Sequence, residues 1–244
     1  MESNLYDLFY EQERNHWWFQ ARKEIILKLI KDYIKPKEDL KILDIGCGTG
    51  MTMEALGKFG EVWGVDNNPK AIDYCRKRGL KNLILADFPS QVPLKEKFDL
   101  ITFLDVLEHI EGDAKAIKTA KGLLEPGGVL LITVPAFQFL WSPHDIANHH
   151  VRRYDKEELS AKIQLAGFKI IKLSYYNFFL FLPTLIKKNI DRIKYKNLPK
   201  SHLNEKTSRL MNRIYKIIFS LEKNVLTHIS FPVGVSLVAI LKNE

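Results

Sequence analysis

The sequence contains little cysteine. Its 244 residues include only two, Cys47 and Cys75, which is too few for the disulfide framework of a small secreted domain. The opening Met-Glu-Ser-Asn also lacks the basic and apolar regions of a secretory signal peptide. Neither cysteine lies in a pattern that predicts a catalytic nucleophile. We therefore expect a protein of the reducing cytoplasm.

Long apolar runs are lacking as well. The apolar stretch at residues 178–186 has nine residues and includes Pro183, whereas a helix needs about twenty residues to cross a bilayer. This length excludes a membrane span at that stretch. The chain as a whole is 46% apolar, which supports the core of one sizeable α/β domain with an elaboration.

Negative charge is scarce in one part of the chain. The segment Lys187–Lys223 contains eleven lysines or arginines against three acidic residues, and this excess of eight equals the net charge of +8. Such a segment suits the phosphates of nucleic acid or an anionic lipid surface. A solvated helical face explains it equally well. The remainder of the chain is balanced in charge.

A glycine-rich turn is the strongest local motif. The apolar run Ile42–Ile45 predicts a short buried strand, and Gly46, Gly48 and Gly50 follow it. Glycine allows a positive φ and a close approach of the backbone to a ligand. Residues 51–59 suit a helix whose first amides would face that ligand. A strand, a glycine turn and a helix predict a nucleotide-binding crevice.

Polar residues end the next two predicted strands. The spacing of the turn is G-x-G-x-G, which differs from the dinucleotide fingerprint G-x-G-x-x-G. Asp66 ends the second strand, where a carboxylate can accept hydrogen bonds from both ribose hydroxyls. Asp87 and Phe88 end the third strand, residues 82–86, where they suit an adenine amino group and ring. Ligands of open α/β sheets bind at these strand ends.

Six motifs in this order resemble the class I S-adenosylmethionine-dependent methyltransferases. They are residues 40–50, 64–66, 86–87, 98–101, 105–109 and 124–132. The resemblance implies a Rossmann-like, seven-stranded, mostly parallel sheet with helices on both faces. Here about sixty residues separate strands six and seven, so a helical insertion is expected between them. We divide the chain into an N-terminal helical segment (1–36), a core (37–177 and 231–244) and a basic amphipathic insertion (178–230).

The resemblance also implies the residues that hold S-adenosylmethionine. Those in the sheet are Asp44, Gly46, Cys47, Gly48, Gly50, Asp66, Asn67, Asp87, Phe88, Leu104 and Asp105. The His-Trp-Trp-Phe segment at 16–19 resembles the N-terminal segment of small-molecule methyltransferases, which closes over the cofactor. This adds Trp18 and Arg22, and the guanidinium of Arg22 suits a paired contact with the cofactor's carboxylate. Packing of this helical segment on the sheet is the alternative.

The segment after the fifth strand is rich in groups that suit an acceptor site. The predicted catalytic residues are His144, Asp145, His149 and Arg152. A neutral imidazole can take a proton from a hydroxyl, and a carboxylate can orient that imidazole. Arg152 or Arg153 would bind an anionic group of the acceptor. His150 and Arg153 are also explained as bridges to neighbouring helices.

Two sets of residues raise the question of a metal. Glu108 and His109 form an acidic-His pair that also occurs in ubiquinone-pathway O-methyltransferases. His144, Asp145 and His149 are the second set, but their spacing matches no structural zinc pattern and no cysteine joins them. We predict no metal and assign the first pair to structural hydrogen bonding.

The predicted activity is methyl transfer to an oxygen of a small or lipid-linked acceptor, assisted by a histidine. The Asn/Asp-Pro-Pro-Tyr motif of enzymes that methylate base amino groups does not follow the fourth strand, which disfavours nucleic acid. An RNA methyltransferase and a non-catalytic S-adenosylmethionine-binding protein stay as alternatives. Residues 178–223 either roof the acceptor pocket, form a dimer interface or contact a membrane surface, and we favour the roof.

Overall fold

The predicted strands lie side by side in one sheet. In a computed structural model, the described residues are 3–34, 37, 39–90, 92–195 and 207–244. The strands are β1 (Leu40–Ile45), β2 (Gly60–Asp66), β3 (Leu83–Leu85), β4 (Phe98–Leu104), β5 (Leu124–Pro135), β6 (Lys169–Tyr176) and β7 (Ser236–Lys242). Most side chains of β1, β4, β5 and β7 are buried, as expected for inner strands of a covered sheet.

The strand order is β3-β2-β1-β4-β5-β7-β6. All neighbours are parallel except β7, which is antiparallel to both β5 and β6. The predicted seven-stranded, mostly parallel α/β fold is therefore confirmed. Chain order reverses between β1 and β4, and the crevice beyond such a switch point is where ligands bind in open α/β sheets.

Ten α-helices occur in the described part of the chain. They are α1 (Ser3–Gln12), α2 (Trp17–Tyr33), α3 (Met51–Leu56), α4 (Pro69–Lys77), α5 (Asp113–Leu123), α6 (Pro143–Ala147), α7 (Lys156–Leu165), α8 (Phe181–Tyr195), α9 (Arg209–Ser220) and α10 (Glu222–Val225). Local sequence explains several starts. Asn68 caps α4 through its side chain, with Pro69 as the first helical residue. None of these helices is long and apolar enough to cross a membrane.

Some predicted boundaries differ from the observed ones. The third strand is shorter than residues 82–86, because only Leu83–Leu85 pair with β2. The helix after the glycine turn ends at Leu56, since Gly57 follows it. Pro36, the last residue of the predicted N-terminal helical segment, lies outside the described residues. Helix α2 ends at Tyr33.

The second N-terminal helix, α2, packs against the segment between β6 and β7. Helix α2 contacts both α9 and α10. The Trp17 backbone N–H donates to Asn212 at 2.8 Å, and the Asn212 amide donates to the Asn15 carbonyl at 2.8 Å. Glu24 pairs with Lys216 and Lys223. The two segments that were divided in the sequence therefore contact each other directly.

Glu222 joins this helical segment to the end of β6. The side chain is fully buried, and its carboxylate accepts N–H bonds from Asn177 at 2.6 Å and Phe179 at 3.1 Å. Burial raises the pKa of Glu222 to about 7, although these backbone bonds oppose the rise. The folded chain therefore holds a proton on Glu222 at a pH where the unfolded chain has lost it.

This pKa predicts how Glu222→Gln changes the pH dependence of stability. Between about pH 4.5 and 7 the folded wild type binds more protons than the unfolded chain, so its free energy of unfolding falls as pH rises. The glutamine variant lacks this dependence. Relative to the variant, the wild type should lose up to about 1.4 kcal/mol per pH unit in that window. Denaturant titrations at several pH values measure it, and a pH-independent difference would contradict it.

Candidate active site

A cavity of about 1210 Å³ adjoins the carboxyl ends of the central strands. Its walls include Ile45, Asp66, Leu104 and Pro135, which end β1, β2, β4 and β5 or lie at those ends. Helices α1, α2, α8 and α9 supply further walls. Ligand pockets typically measure about 300–1,000 Å³, so this cavity is large enough for a cofactor and a second molecule.

The glycine turn forms the cavity wall next to β1. Gly46 and Gly48 both have positive φ, 70° and 54°, and both line the cavity. A Cβ on Gly46 would lie 2.4 Å from a methyl group of Val106. Position 46 therefore requires glycine for two reasons: its φ is positive, and a side chain would collide with Val106. The amides of Gly46 and Cys47 donate to the Val65 carbonyl, which ties the turn to β2.

Gly50 does not line this cavity, contrary to the role implied for it. It precedes α3 with φ 85°, and a Cβ there would lie 2.7 Å from Leu80 and 2.8 Å from the sulfur of Cys75. Its role is therefore in packing the turn on α4. Cys47 does line the cavity, and its sulfur lies 3.9 Å from that of Cys75. Both cysteines are free thiols.

The residues predicted to hold the nucleoside lie together. Asp66, Asn67, Asp87 and Phe88 all line the cavity. One oxygen of the buried Asp66 carboxylate accepts the Gly48 N–H at 2.9 Å, and the other accepts the Asn68 N–H at 2.9 Å. Burial raises the pKa of Asp66. The carboxylate is thus fixed by the backbone beside the cavity.

Arg22 and Asp105 form a buried ion pair in the cavity wall. A terminal nitrogen of Arg22 lies 2.5 Å from the Asp105 carboxylate and 3.4 Å from the Thr133 hydroxyl. The Arg22 guanidinium also lies 5.1 Å from the centre of the Trp18 ring. Its Nε has no hydrogen-bond partner among the described residues. Any anionic ligand group would therefore share this guanidinium with Asp105.

Asp44 and Leu104 complete the predicted cofactor set, and both line the cavity. Asp44 is buried and accepts a hydrogen bond from the Thr102 hydroxyl at 2.6 Å. Burial raises its pKa to about 6, an effect that the Thr102 bond and Arg22 reduce. Both residues belong to the inner strands, β1 and β4.

The N-terminal segment contacts the glycine turn through Glu13, a residue that the sequence did not single out. Glu13 is buried, accepts the Thr49 hydroxyl at 2.6 Å and pairs with Arg78. Tyr6 and His16 line the cavity beside it. No local pattern marks Glu13, because its partners are far away in the sequence. The contact holds the turn between α1 and α2 over the cavity.

This geometry predicts that a ligand protects the N-terminal segment from proteases. Limited proteolysis with and without S-adenosylhomocysteine should show slower cleavage between Glu13 and Arg22 when the ligand is present. The physical reason is that a ligand adds contacts to side chains which line the cavity, Trp18 among them. The Asp66→Ala variant is the control, since weaker binding should remove the protection. Equal rates in the wild type would favour plain packing of the segment.

Asp145 is the centre of a charged network on the other side of the cavity. The side chain is fully buried. One oxygen accepts His150 Nδ1 at 2.9 Å and Arg153 Nε at 2.8 Å. The other accepts the Ser142 amide and hydroxyl. Burial alone would raise the pKa of Asp145, but Lys188, His150 and Arg153 hold it well below its ordinary value. Asp145 therefore stays ionised.

The histidine that Asp145 contacts is His150, which was explained from the sequence as a bridge. With Nδ1 held by the carboxylate, the other ring nitrogen is Nε2, which lies 4.0 Å from Glu108. His150 lines the cavity. A carboxylate on one ring nitrogen fixes the ring and its tautomer. This arrangement makes His150 a candidate base.

The other predicted catalytic residues have different surroundings. His144 and His149 both line the cavity. The His144 ring lies 3.2 Å from the Asn148 amide. Arg152 does not line the cavity. It pairs with Asp113 at 2.8 Å and donates to the Glu111 carbonyl, so its expected contact with the acceptor is corrected.

Lys188 joins the network from α8 and was missed in the sequence. Its buried amine donates to the Ser142 hydroxyl at 3.0 Å and lies 3.5 Å from Asp145. Burial and the charge of Arg153 together lower the pKa of Lys188 to about 7, while Asp145 opposes the change. Lys188 lines the cavity too. A lysine in a basic amphipathic segment gives no sequence signal that sets it apart from its exposed neighbours.

Glu108, His109 and His150 are the described residues that could hold a metal ion. Each of the three offers one ligand atom, and these atoms lie within 4.8 Å of one another. Neither oxygen of the fully buried Glu108 carboxylate has a hydrogen-bond partner in the described part of the chain. The predicted structural hydrogen bonding of Glu108 therefore does not involve its carboxylate. Burial raises the pKa of Glu108 and lowers that of His109 to about 3.

Comparison with known proteins gives the same family for sequence and fold. A family described as "Methyltransferase domain" matches residues 14–173. The ubiquinone biosynthesis O-methyltransferase of Coxiella burnetii (strain RSA 493 / Nine Mile phase I) is 33% identical over 130 residues, which cover 48% of this chain and 56% of that protein. The Pelagibacter ubique protein of the same name is 33% identical over 117 residues, covering 45% and 49%. The chain spans about half the length of these curated relatives.

Solved structures share the fold over nearly the whole chain. A SAM dependent methyltransferase from Archaeoglobus fulgidus has a TM-score of 0.60 at 19% identity, covering 97% of this chain and 99% of its own. An S-adenosylmethionine dependent methyltransferase from Mesorhizobium loti has a TM-score of 0.58 at 15% identity, covering 88% and 95%. The resemblance found in the sequence is thereby confirmed. The chain belongs to the family described as "Methyltransferase domain", and it has the fold of solved S-adenosylmethionine-dependent methyltransferases.

Proposed function

We propose that this chain transfers a methyl group to an oxygen of a small or lipid-linked acceptor, with His150 as the base. The observation that carries the proposal is the buried Asp145 carboxylate on Nδ1 of a histidine that lines the cavity. Imidazole is the side chain most often used to remove a proton near neutral pH. The curated relatives are named O-methyltransferases, which supports oxygen as the methylated atom.

The residues of the cavity fit the cofactor that the family uses. The missing Cβ of Gly46 and the unpartnered Nε of the buried Arg22 both suit a ligand with close backbone contact and an anionic end. Asp66 would hold the ribose, Asp87 and Phe88 the adenine, and Arg22 with Asp105 the methionine end. When bound, S-adenosylmethionine supplies a methyl group on a sulfonium ion.

The protein's contribution to the transfer would be position and proton removal. The cavity walls hold the acceptor oxygen at near-attack distance, which is the largest effect expected in such a displacement. His150 Nε2 would take the hydroxyl proton, and Asp145 would stabilise the imidazolium that results. Arg153 and Lys188 both form ion pairs with Asp145. They would keep that carboxylate ionised and in place.

The proposed acceptor class follows from the walls supplied by α8 and α9. Pro183, Met211 and Tyr215 line the cavity there, as does Leu180 just before α8, and their apolar surface suits an aromatic or lipidic group. The described parts of the segment 178–223, residues 178–195 and 207–223, would then act as a roof over the acceptor. A lipid-linked acceptor would also bring this segment to a membrane surface.

Incubation of the protein with methyl-labelled cofactor and pooled metabolite and lipid extracts tests the proposal. Mass spectrometry should detect a labelled product whose methyl group is attached to oxygen. The matched control is His150→Gln, which should form far less of it. Labelled RNA in place of a small product would support the RNA alternative. Cofactor binding without any labelled product from either source would favour a non-catalytic binding protein.

A further inference from the structure

Helix α8 exposes a row of large apolar side chains. The row consists of Leu182, Ile186, Ile190 and Ile193, which are between 54% and 78% exposed. Their spacing of three or four residues places them on one face of the helix. Single exposed apolar residues are normal on soluble proteins, but a continuous row marks a surface that contacts something else.

Helix α9 exposes a second row of the same kind. Its members are Leu210, Ile214, Ile217 and Leu221, which are between 37% and 68% exposed. Leu221 follows the last residue of the helix. On its other side, α9 packs against α2 and buries Phe219. Helix α9 therefore has apolar side chains on two sides: one side packs inside the protein, and the other is exposed to solvent.

Both helices also wall the cavity. On α8, Pro183, Thr184 and Lys187 line the cavity at positions next to the exposed row. On α9, Met211 and Tyr215 do the same. Because neighbouring positions on a helix differ by about 100°, each exposed row lies beside the cavity-facing side of its helix. The two apolar rows thus border the proposed acceptor site.

The exposed charges on these two helices have one sign. They are Lys187, Arg192, Lys194, Arg209 and Arg213. Asp191 is the acidic residue of α8, and it is buried, whereas α9 contains none. A surface that combines apolar rows with positive charge complements an anionic bilayer, where lipid tails cover the rows and headgroups meet the cations.

We infer that α8 and α9 dock on an anionic lipid bilayer and bury both apolar rows in its interface. An RNA partner would satisfy the cations but leave the isoleucine and leucine rows in water, which favours the bilayer. The link to an acceptor taken from the membrane rests on the proposed function. The docking itself does not, because it needs only the exposed faces of the two helices.

Vesicle flotation tests the docking directly. The protein is mixed with vesicles of phosphatidylcholine alone or with about one quarter phosphatidylglycerol. The wild type should float with the anionic vesicles, less so at high salt, and little with phosphatidylcholine alone. The double variant Ile186→Glu/Ile190→Glu should bind anionic vesicles at least about tenfold more weakly, because it places negative charge where apolar side chains would enter the bilayer.

A matched control uses an exposed leucine elsewhere. Leu165 ends α7 and is 87% exposed, and Leu165→Glu should bind anionic vesicles like the wild type. Affinity for S-adenosylhomocysteine shows that each variant is folded. Equal flotation of the double variant and the wild type would overturn the inference, as would binding to RNA but not to vesicles. A labelled product without vesicle binding would overturn the docking alone, and vesicle binding without any product would overturn the proposed function alone.

Discussion

Replacing His150 with glutamine is expected to lower turnover by about 10²–10⁴. Glutamine keeps a polar group of similar size but cannot take a proton near neutral pH. The structure singles out His150 because it lines the cavity and its Nδ1 lies 2.9 Å from the ionised Asp145, while Nε2 lies 4.0 Å from Glu108. Affinity for S-adenosylhomocysteine should stay near the wild-type value, since the proposed cofactor residues are elsewhere in the cavity.

The two other histidines of this segment provide matched controls. His144→Gln and His149→Gln make the same chemical change in rings that also line the cavity. If His150 is the base, both controls should retain most of the turnover. A large loss in a control with full activity in His150→Gln would transfer the role to that histidine. Full activity in all three would leave proximity as the explanation of the transfer.

The fold was predictable because its signals are local. The run Ile42–Ile45 and the glycines after it specify a strand and a turn within a few residues. The third strand was predicted too long, since its pairing with β2 covers only Leu83–Leu85. How many residues of an apolar run pair depends on the neighbouring strand. That information is not in the run itself.

The segment proposed for the acceptor was predicted from its place after the fifth strand, but its internal contacts were not. Several residues between 144 and 153 line the cavity, as expected for a segment that follows a parallel strand at its carboxyl end. Which histidine meets Asp145 depends on the turn after α6, where His149 takes φ 57°. Lys188 reaches Asp145 across 43 residues of sequence. Such a tertiary pair leaves no periodic pattern to read.

Two residues were misplaced because a motif does not say which way a side chain or a Cβ would point. Gly50 belongs to the glycine turn, but its Cβ position meets Leu80 and Cys75 instead of the cavity. Arg152 and Arg153 are adjacent in sequence, but their side chains point to different parts of the structure. Arg152 pairs with Asp113, whereas Arg153 lines the cavity. Packing against α4 and α5, and not local sequence, decides both cases.

Asp66→Ala is expected to weaken the binding of S-adenosylhomocysteine by roughly tenfold to 150-fold. This range corresponds to about 1.5–3 kcal/mol, the usual contribution of hydrogen bonds to a charged group. The Asp66 carboxylate is fixed by the amides of Gly48 and Asn68 beside the cavity. It would need little reorganisation to accept bonds from the two ribose hydroxyls. Isothermal titration calorimetry measures the affinity.

Asp73→Ala is the matched control, because it removes the same charge from an exposed residue of α4 that does not line the cavity. It should bind S-adenosylhomocysteine like the wild type.

The pH dependence of S-adenosylhomocysteine binding distinguishes a direct role of Asp66 from a purely structural one. Burial raises the pKa of Asp66, so its acceptor capacity is lost at a milder acidity than for an ordinary aspartate. Wild-type affinity should therefore fall on acidification more steeply than that of Asp66→Ala. Parallel pH profiles together with unchanged affinity would remove Asp66 from the site.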